Sequence, residues 1–302
     1  MLRVLTQTLG FSLVTWLGAS AALAAQPVEW LERMSHAHRE LSYQGIVTHQ
    51  IDDQLASYRI VHRVMDGREF ELLTPLDSEN RELVRKGHSV HCVHPAERLL
   101  RRVGQQNGFS RYYDLRLEEG ARVAGRDVVT LYIAPRDVFR LGYVLSLDAQ
   151  TAIPLKTETV GQREQVLERF QFMLFELGTA GELEAHQARE VAHHDVAAAQ
   201  ERKAMQAKLP WSLGWVPDGF MLADTTDVQS QALSYTDGIS MFSVFMEPAT
   251  DSPRPASAVA MRSGATVSYT YPIPERELVA TVIGEVPLLT AEQVAKSLVV
   301  PQ

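Results

Sequence analysis

The segment from residue 139 to residue 157 constrains the fold more than any other, because its side chains alternate in character with a period of two. Five large apolar residues occupy alternate positions: Phe139, Leu141, Tyr143, Leu145 and Leu147. Arg140, Gly142 and Ser146 lie between them, and Val144 is the one apolar exception. Successive side chains of a β-strand point to opposite faces of its sheet, so this pattern predicts one apolar face and one polar face. Such an apolar face is either an ordinary core or the inner wall of a half-barrel that holds an apolar guest.

Most of the chain between residues 43 and 177 has an extended pattern. We predict strands at 43–50, 55–64, 68–74, 81–86, 89–93, 98–103, 127–134, 139–148, 153–160 and 165–177. Apolar residues at helical spacing predict a helix over 27–41, and a shorter helix is predicted within 108–119. Many short strands in succession, joined by short loops, indicate a large antiparallel sheet.

A second compact region follows a change of composition at Gly181. Residues 182–210 are rich in Ala, Glu, Gln and His, which is typical of a polar linker. In residues 211–302, Asp237-Gly238 predicts a two-residue hairpin turn, and further strands are predicted at 265–271 and 277–283. Thr290 and Gln293 suggest a capping box for a last helix. The predicted fold is α+β, with an N-terminal domain of residues 25–181 and a smaller C-terminal α+β domain of residues 211–302.

The first 24 residues have the features of a cleaved signal peptide. Arg3 is their only charge, an apolar stretch follows over residues 9–23, and Ala22 and Ala24 suit a signal-peptidase site. The apolar stretch is shorter than the roughly 20 residues that cross a bilayer. We therefore predict an exported chain that is cleaved near Ala24.

The only cysteine, Cys92, lies among three histidines, His88, His91 and His94. Imidazole and thiolate groups are donors for zinc or copper. In a strand, however, His91 would point away from the other three, and no second cluster has the spacing of metal ligands. We predict surface histidines here, with no metal site and no other cofactor.

Catalytic motifs are absent from the sequence. It contains no nucleophile elbow, no phosphate-binding glycine loop and no His-Glu-x-x-His pattern. Acidic pairs such as Glu118-Glu119 are typical of solvated loops, and nothing singles one out as a glycosidase pair. We therefore predict that the protein is not an enzyme.

Charge is distributed unevenly along the chain. Residues 81–126 hold ten basic and five acidic side chains, a net charge of +5 against −8 for the whole chain, so the remainder carries −13. This region either binds an anionic partner or forms an arginine-rich outer face of the sheet. Nucleic acid is a poor candidate partner for an exported, acidic chain, whereas arginine suits lipid phosphates and protein carboxylates.

Short motifs occur in a fixed order along almost the whole exported chain. The first half contains Leu-Ser-Tyr-Gln-Gly at 41–45, Leu-Thr-Pro-Leu-Asp at 73–77, Arg-Val-Ala-Gly-Arg at 122–126, Ile-Ala-Pro-Arg-Asp at 133–137, Gly-Tyr-Val-Leu-Ser-Leu-Asp at 142–148 and Leu-Lys at 155–156. The second half contains Gly-Trp-Val-Pro-Asp-Gly-Phe at 214–220, Tyr-Thr-Asp-Gly at 235–238 and Gly-Glu-Val-Pro at 284–287. Together these segments resemble the RseB/MucB family of periplasmic regulators of the envelope-stress sigma factor.

The resemblance implies a half-open antiparallel β-barrel like those of lipoprotein carriers, with helices on its concave face and a smaller domain beside it. It also implies a protein that binds the periplasmic domain of a single-pass anti-sigma factor and protects it from proteolysis. A lipid or a lipopolysaccharide-like ligand would release that partner. The alternative is a periplasmic lipid or lipoprotein carrier, although a simple carrier needs only the barrel. The oligomeric state stays open, and a homo-oligomer is one alternative.

Three sets of candidate site residues follow from these interpretations. The first would line the barrel interior and hold an acyl chain, with core packing as its alternative role: Tyr58, Ile60, Phe70, Leu72, Leu141, Tyr143, Leu145, Phe170 and Phe172. The second would bind headgroup phosphates or partner carboxylates: Arg85, Lys86, Arg101 and Arg102. The third would supply aromatic anchors for a protein partner: Tyr235, Phe242 and Phe245.

Overall fold

The computed structural model describes residues 27–76, 109–178, 189–190, 204, 209–223, 232–249 and 257–300. The predicted signal peptide, the three strands predicted between residues 81 and 103, and the cluster around Cys92 lie outside these ranges. Among the described residues, none of the helices combines the length and the apolar character needed to cross a membrane. The predicted fold class is confirmed, because the described chain forms two large antiparallel sheets and one two-stranded ladder, with few helices.

The N-terminal sheet follows a helix, α1, at Pro27–Glu40. Its strands are β1 (Tyr43–Ile51), β2 (Gln54–Met65), β3 (Arg68–Pro75), β4 (Tyr113–Val123), β5 (Arg126–Pro135), β6 (Gly142–Asp148), β7 (Pro154–Val160), β8 (Val166–Leu177) and β9 (Arg189–Glu190). Their order across the sheet is β4-β5-β6-β7-β8-β1-β2-β3-β9, with every described pairing antiparallel. The terminal strands β4 and β9 do not pair with each other, so the barrel is half-open.

Two-residue turns fix the register of two hairpins in this sheet. Asp66-Gly67 joins β2 to β3, and Ala124-Gly125 joins β4 to β5. All four residues have positive φ angles between 48° and 76°. Turns with both central residues in this region match the right-handed twist of the strands, and glycine adopts the conformation without a steric penalty.

Strand β4 corrects the predicted helix within residues 108–119. Only α2, at Phe109–Tyr112, is helical, and the chain is extended from Tyr113 onward. Tyr113, Leu115 and Leu117 alternate with polar side chains, and they face Pro135, Ile133 and Leu131 of β5 in the register. The alternation of apolar and polar side chains with a period of two was therefore the sequence signal that correctly indicates a strand here.

The C-terminal sheet has six strands. They are β11 (Met221–Leu222), β12 (Ala232–Thr236), β13 (Met241–Pro248), β14 (Val259–Ser263), β15 (Thr266–Ile273) and β16 (Leu278–Gly284), in the order β11-β12-β13-β16-β15-β14. A helix, α3 (Leu288–Lys296), buries Ala291 and Val294 in one apolar cluster with Val244 and Val282 of the sheet. A separate two-stranded ladder pairs β10 (Ser212–Leu213) with β17 (Leu298–Val299).

Two local predictions for this domain differ from the structure. The Asp237-Gly238 hairpin exists, but its strands end at Thr236 and begin again at Met241, so the loop has four residues rather than two. The predicted capping box is wrong, because Pro287 is the N-cap of α3. Thr290 lies inside the helix, where its hydroxyl donates to the main-chain oxygen of Phe139 at 2.9 Å.

Part of the predicted linker is extended and paired. Residues 189–190 form β9, which pairs with Phe70 and Glu71 of β3. This piece of the segment 182–210 therefore lies along the edge of the N-terminal sheet. The exact limits of the two domains stay a prediction.

Candidate functional site

The inner face of the N-terminal sheet, defined as the face against which α1 packs, brings together seven of the nine predicted lining residues. Tyr58, Ile60, Phe170 and Phe172 belong to one apolar cluster, and Leu141, Tyr143 and Leu145 belong to another. Each of the seven is at most 8% exposed. The strand register explains this grouping, because alternate residues on neighbouring strands share a face.

Helix α1 covers the inner face. Trp30, Leu31 and Met34 pack into the cluster that contains Leu145, whereas Ala37 packs into the cluster that contains Tyr58. The residues expected to line an apolar cavity are therefore packed in the same two clusters as helix side chains in this conformation. An acyl chain could reach them only if these contacts were replaced.

Phe70 and Leu72 do not lie on the inner face. In the register of β2 and β3, Leu73 is opposite Ile60, whereas Leu72 is opposite Val61 and Phe70 is opposite Arg63. Both predicted residues therefore point to the other face of the sheet and are only half-buried. The prediction for these two residues is wrong, because β3 turns Glu69 and Glu71 inward instead.

A buried arginine connects the two domains. Arg140 has a fully buried side chain, although the sequence pattern predicted it on a polar face. Its Nε donates to the Oδ2 of Asp237 at 2.7 Å, and its other nitrogens donate to the Asp137 carboxylate and the main-chain oxygen of Asp218. Its guanidinium carbon lies 5.0 Å from the ring centroid of Phe220. Arg140 comes from the N-terminal domain and Asp237 from the C-terminal hairpin, so this ion pair spans the junction.

Asp237 is the centre of this junction. Its Oδ2 also accepts from the Tyr113 hydroxyl at 2.8 Å, and its Oδ1 accepts from the main-chain N–H groups of Ile239 and Ser240, each at 2.9 Å. Burial, and then the negative charge of Asp237, raises the pKa of Tyr113 well above its usual value. The phenol therefore stays protonated and remains a donor. These contacts connect the two domains.

Further contacts extend the junction on both sides. Ile239 and Ala265, from two hairpin loops of the C-terminal sheet, are part of the same apolar cluster as Tyr143. The main-chain N–H of Gly264 donates to the Asp52 carboxylate at 3.0 Å. The two domains therefore share a continuous apolar core with hydrogen bonds at its edges.

Of the three predicted aromatic anchors, the structure leaves one accessible. Tyr235 and Phe242 are buried and stack on each other in the C-terminal core, with ring centroids 5.4 Å apart. Phe245 lies on the opposite face of β13 and is half-buried. Because alternation turns Phe242 toward α3, only Phe245 can meet a partner without a change in the core.

The described part of the basic region is already paired with acidic side chains. Arg126 makes a two-pronged contact with Asp148 at 2.7 and 2.9 Å, and Arg122 lies 3.3 Å from Asp127. Arg116 pairs with Glu118. Arg85, Lys86, Arg101 and Arg102 lie outside the described residues, so the hypothesis that they bind anions stays a prediction.

One buried polar cluster was not predicted from the sequence. His38 of α1, His62 of β2 and Glu69 of β3 are all buried, and their potential ligand atoms lie within 4.8 Å of one another. The three residues have no local spacing that could reveal them, because the contact depends on how α1 crosses the sheet. The cross-strand pairing of β2 and β3 was the only available signal.

Comparisons with known proteins agree over both domains. A family model described as the MucB/RseB N-terminal domain matches residues 26–198, and one described as the MucB/RseB C-terminal domain matches residues 205–299. The chain is 33% identical over 310 residues to the sigma factor AlgU regulatory protein MucB of Pseudomonas aeruginosa, and the alignment covers 97% of each chain. It is 22% identical over 315 residues to the sigma-E factor regulatory protein RseB of Escherichia coli K12, covering 92% of this chain and 93% of that one.

Solved structures match the same architecture. A crystal structure of MucB in complex with MucA(peri) matches with a TM-score of 0.69 and 28% identity, covering 92% of this chain and 100% of that chain. A crystal structure of MucB matches with a TM-score of 0.59 and 30% identity, covering 90% of this chain and 97% of that chain. Since the family models cover both sheets and a relative above 30% identity aligns over almost the whole length, the chain belongs to the MucB/RseB family.

Proposed function

We propose that this chain is an exported periplasmic regulator of a sigma factor, which acts by binding the periplasmic segment of a membrane-spanning anti-sigma factor. One observation carries the proposal: the chain matches, in both domains, a MucB whose structure was solved with MucA(peri). Its curated relatives are described as sigma factor regulatory proteins rather than enzymes. Binding, not catalysis, is therefore the proposed activity.

Protection of the partner follows from mass action. A bound anti-sigma segment is not available to a protease, so the cleavage rate falls with the free fraction of that segment. Each tenfold increase in affinity corresponds to about 1.4 kcal/mol of binding free energy. The regulator therefore sets the threshold for the response through its affinity, without any chemical step.

The proposed contact on the C-terminal domain includes Phe245. This side chain lies on the face of β13 that points away from α3, and it is half-buried among shorter side chains such as Ser243. A partly exposed aromatic ring is the kind of anchor that contributes most to protein interfaces. We expect Phe245→Ala to weaken binding of the segment by at least tenfold.

Release by lipid would use the inner face. Seven of the predicted lining residues are buried in the two clusters into which α1 packs, and an acyl chain that replaced the α1 contacts would find an apolar surface of suitable chemistry. A lipid shifts the equilibrium only by its difference in affinity for the two conformations. It would release the partner if the conformation with α1 displaced binds the segment less tightly.

A protease-protection assay tests the proposal. The mature chain, residues 25–302, is mixed with the periplasmic segment of the anti-sigma factor of the same cell and with the protease that cleaves it. We expect the cleavage rate to fall as the chain is added and to recover when lipopolysaccharide is added. Cleavage that the chain never slows, although the folded chain extracts lipid from membranes, would favour the carrier alternative instead.

Matched variants separate the two surfaces. Phe245→Ala should reduce protection, whereas Phe172→Ala, beneath α1, should reduce the effect of the lipid in those molecules that remain folded. Phe70→Ala is the control, because it removes a half-buried phenylalanine from the outer face of the N-terminal sheet. If the control reduces protection and lipid response as much as the other two variants, neither assignment holds.

A further inference from the structure

The C-terminal turn of α1 meets the inner face of the sheet at a cluster of metal-ligating side chains. We propose that His38, His62 and Glu69, with Glu71 as a fourth ligand, form a binding site for a divalent transition-metal ion of the zinc class, which we name the clip site. His38 belongs to α1, His62 to β2, and both glutamates to β3. An ion bound there would fasten the helix to the sheet that it covers.

The potential ligand atoms of His38, His62 and Glu69 all lie within 4.8 Å of one another. The Nε2 of His38 lies 3.4 Å from the Oε2 of Glu69, and the Nδ1 of His62 lies 3.9 Å from the Oε2 of Glu71. Zinc binds imidazole nitrogen at about 2.0–2.1 Å and carboxylate oxygen at about 2.0–2.2 Å. Donor atoms of one tetrahedral ion are therefore separated by about 3.3 Å. The two imidazole rings are stacked with their centroids 4.4 Å apart, so both rings would turn toward a shared ion on binding.

Hydrogen bonds to the opposite ring nitrogens orient both imidazoles. The Nε2 of His62 lies 2.9 Å from the main-chain oxygen of His38. A carbonyl oxygen only accepts, so this nitrogen carries a proton, and Nδ1 is the ring nitrogen on the side of Glu71. The Tyr43 hydroxyl lies 3.5 Å from the Nδ1 of His38, which leaves Nε2 toward Glu69. Metal-binding histidines commonly have such partners on the nitrogen that does not bind the ion.

The burial of these side chains and the chemistry of their donor atoms suit a metal ion. His38 and His62 are almost completely buried, Glu69 is 5% exposed, and the side chain of Glu71 is 13% exposed. A donor set of nitrogen and oxygen without thiolate suits zinc and its first-row neighbours.

The site also has a mechanical consequence. His38 comes from the helix that covers the inner face, so occupancy would stabilise the conformation in which that face is closed. The inference is independent of the proposed partner, since it concerns only the contact between α1 and the sheet.

The test begins with chelator-treated mature chain without a polyhistidine tag. Titration with Zn²⁺ is followed by calorimetry, and bound metal is counted after gel filtration by mass spectrometry. We expect one ion for each chain, a rise in the thermal midpoint, and at least a tenfold loss of affinity in Glu69→Gln and in His62→Gln. Both substitutions approximate the volume of the original side chain, and circular dichroism verifies that each variant is folded.

Two controls identify the site. His36→Ala removes an exposed histidine from the same helix and should leave binding unchanged. A variant with His88, His91 and His94 all changed to alanine should also bind normally. The proposal is overturned if the folded wild-type chain binds no Zn²⁺, if Glu69→Gln and His62→Gln both bind as the wild type does, or if the triple variant loses the ion.

X-ray absorption of the zinc-loaded wild-type chain needs no variant. It should show two imidazoles and oxygen ligands in the first coordination sphere. A sulfur ligand would assign the ion to Cys92 instead and would contradict the clip site.

Discussion

Replacing Arg140 with methionine tests the junction between the domains. Methionine retains a long, unbranched, apolar stem but lacks the guanidinium group that contacts Asp237, Asp137 and Asp218. The carboxylate of Asp237 then stays buried without its cation. Removing one partner of a buried ion pair costs about 3–5 kcal/mol. Asp237 retains the Tyr113 hydroxyl and two main-chain donors, so we expect the lower end, about 3 kcal/mol.

The assay is urea unfolding of the mature chain, followed by tryptophan fluorescence and far-ultraviolet circular dichroism. Trp215 reports on the junction, because its ring packs edge-on against Phe139 with centroids 5.1 Å apart. Coincident transitions by the two probes would justify a two-state free energy of unfolding. A double variant of Arg140→Met and Asp237→Asn then completes a cycle, and we expect its effect to be smaller than the sum by about 0.5–3 kcal/mol.

Arg136→Ala is the matched control for this prediction. Arg136 lies four positions before Arg140 and pairs with Asp114, but both side chains are exposed. Exposed ion pairs contribute little to stability, so the control should barely move the transition. If Arg140→Met destabilises the chain no more than Arg136→Ala, the buried pair does not stabilise the junction and our reasoning is refuted.

Two further predictions concern the N-terminal domain. Burial alone would raise the pKa of Asp148, but hydrogen bonds from Arg126 and Thr151 outweigh it and lower the pKa below the usual value. The ionised carboxylate therefore stabilises the fold above about pH 4, and this stabilisation is lost as the pH falls through the lowered pKa. The difference in unfolding free energy between wild type and Asp148→Asn should therefore shrink in acid. A difference that grows in acid would contradict this prediction. Gly45→Ala would place a methyl group against the main-chain oxygen of Leu174, so we expect about 1–3 kcal/mol of destabilisation in urea unfolding, and an unchanged midpoint would contradict the tight strand contact.

Strand alternation predicted many strands of the N-terminal sheet but could not decide which face of each strand is buried, and the half-open barrel was implied by the family resemblance. On β6, Tyr143 and Leu145 are buried as expected. On β3, the same reasoning placed Phe70 on the inner face, whereas the register turns Glu69 inward toward His38. The hydrophobic side chains of a strand turn inward only when its polar side chains have no partner on the inner face. On β3, His38 of α1 is such a partner for Glu69, so Glu69 turns inward and Phe70 turns outward.

The junction and the clip site were beyond sequence reasoning because their residues are far apart in the chain. Arg140 and Asp237 are separated by 97 positions, and alternation alone predicted Arg140 in water. Its burial depends on a second domain covering that position. His62 and the main-chain oxygen of His38 are 24 positions apart and meet only through tertiary packing. The family resemblance implied the two-domain architecture but not these contacts.

The most direct measurement of the proposed function is equilibrium binding of the mature chain to the periplasmic segment of the anti-sigma factor from the same cell. Calorimetry with wild type, Phe245→Ala and Phe70→Ala gives the affinity without a protease or a lipid. A regulator predicts saturable binding by wild type and Phe70→Ala, with at least a tenfold weaker affinity for Phe245→Ala. No detectable binding by a correctly folded wild-type chain would contradict the central claim.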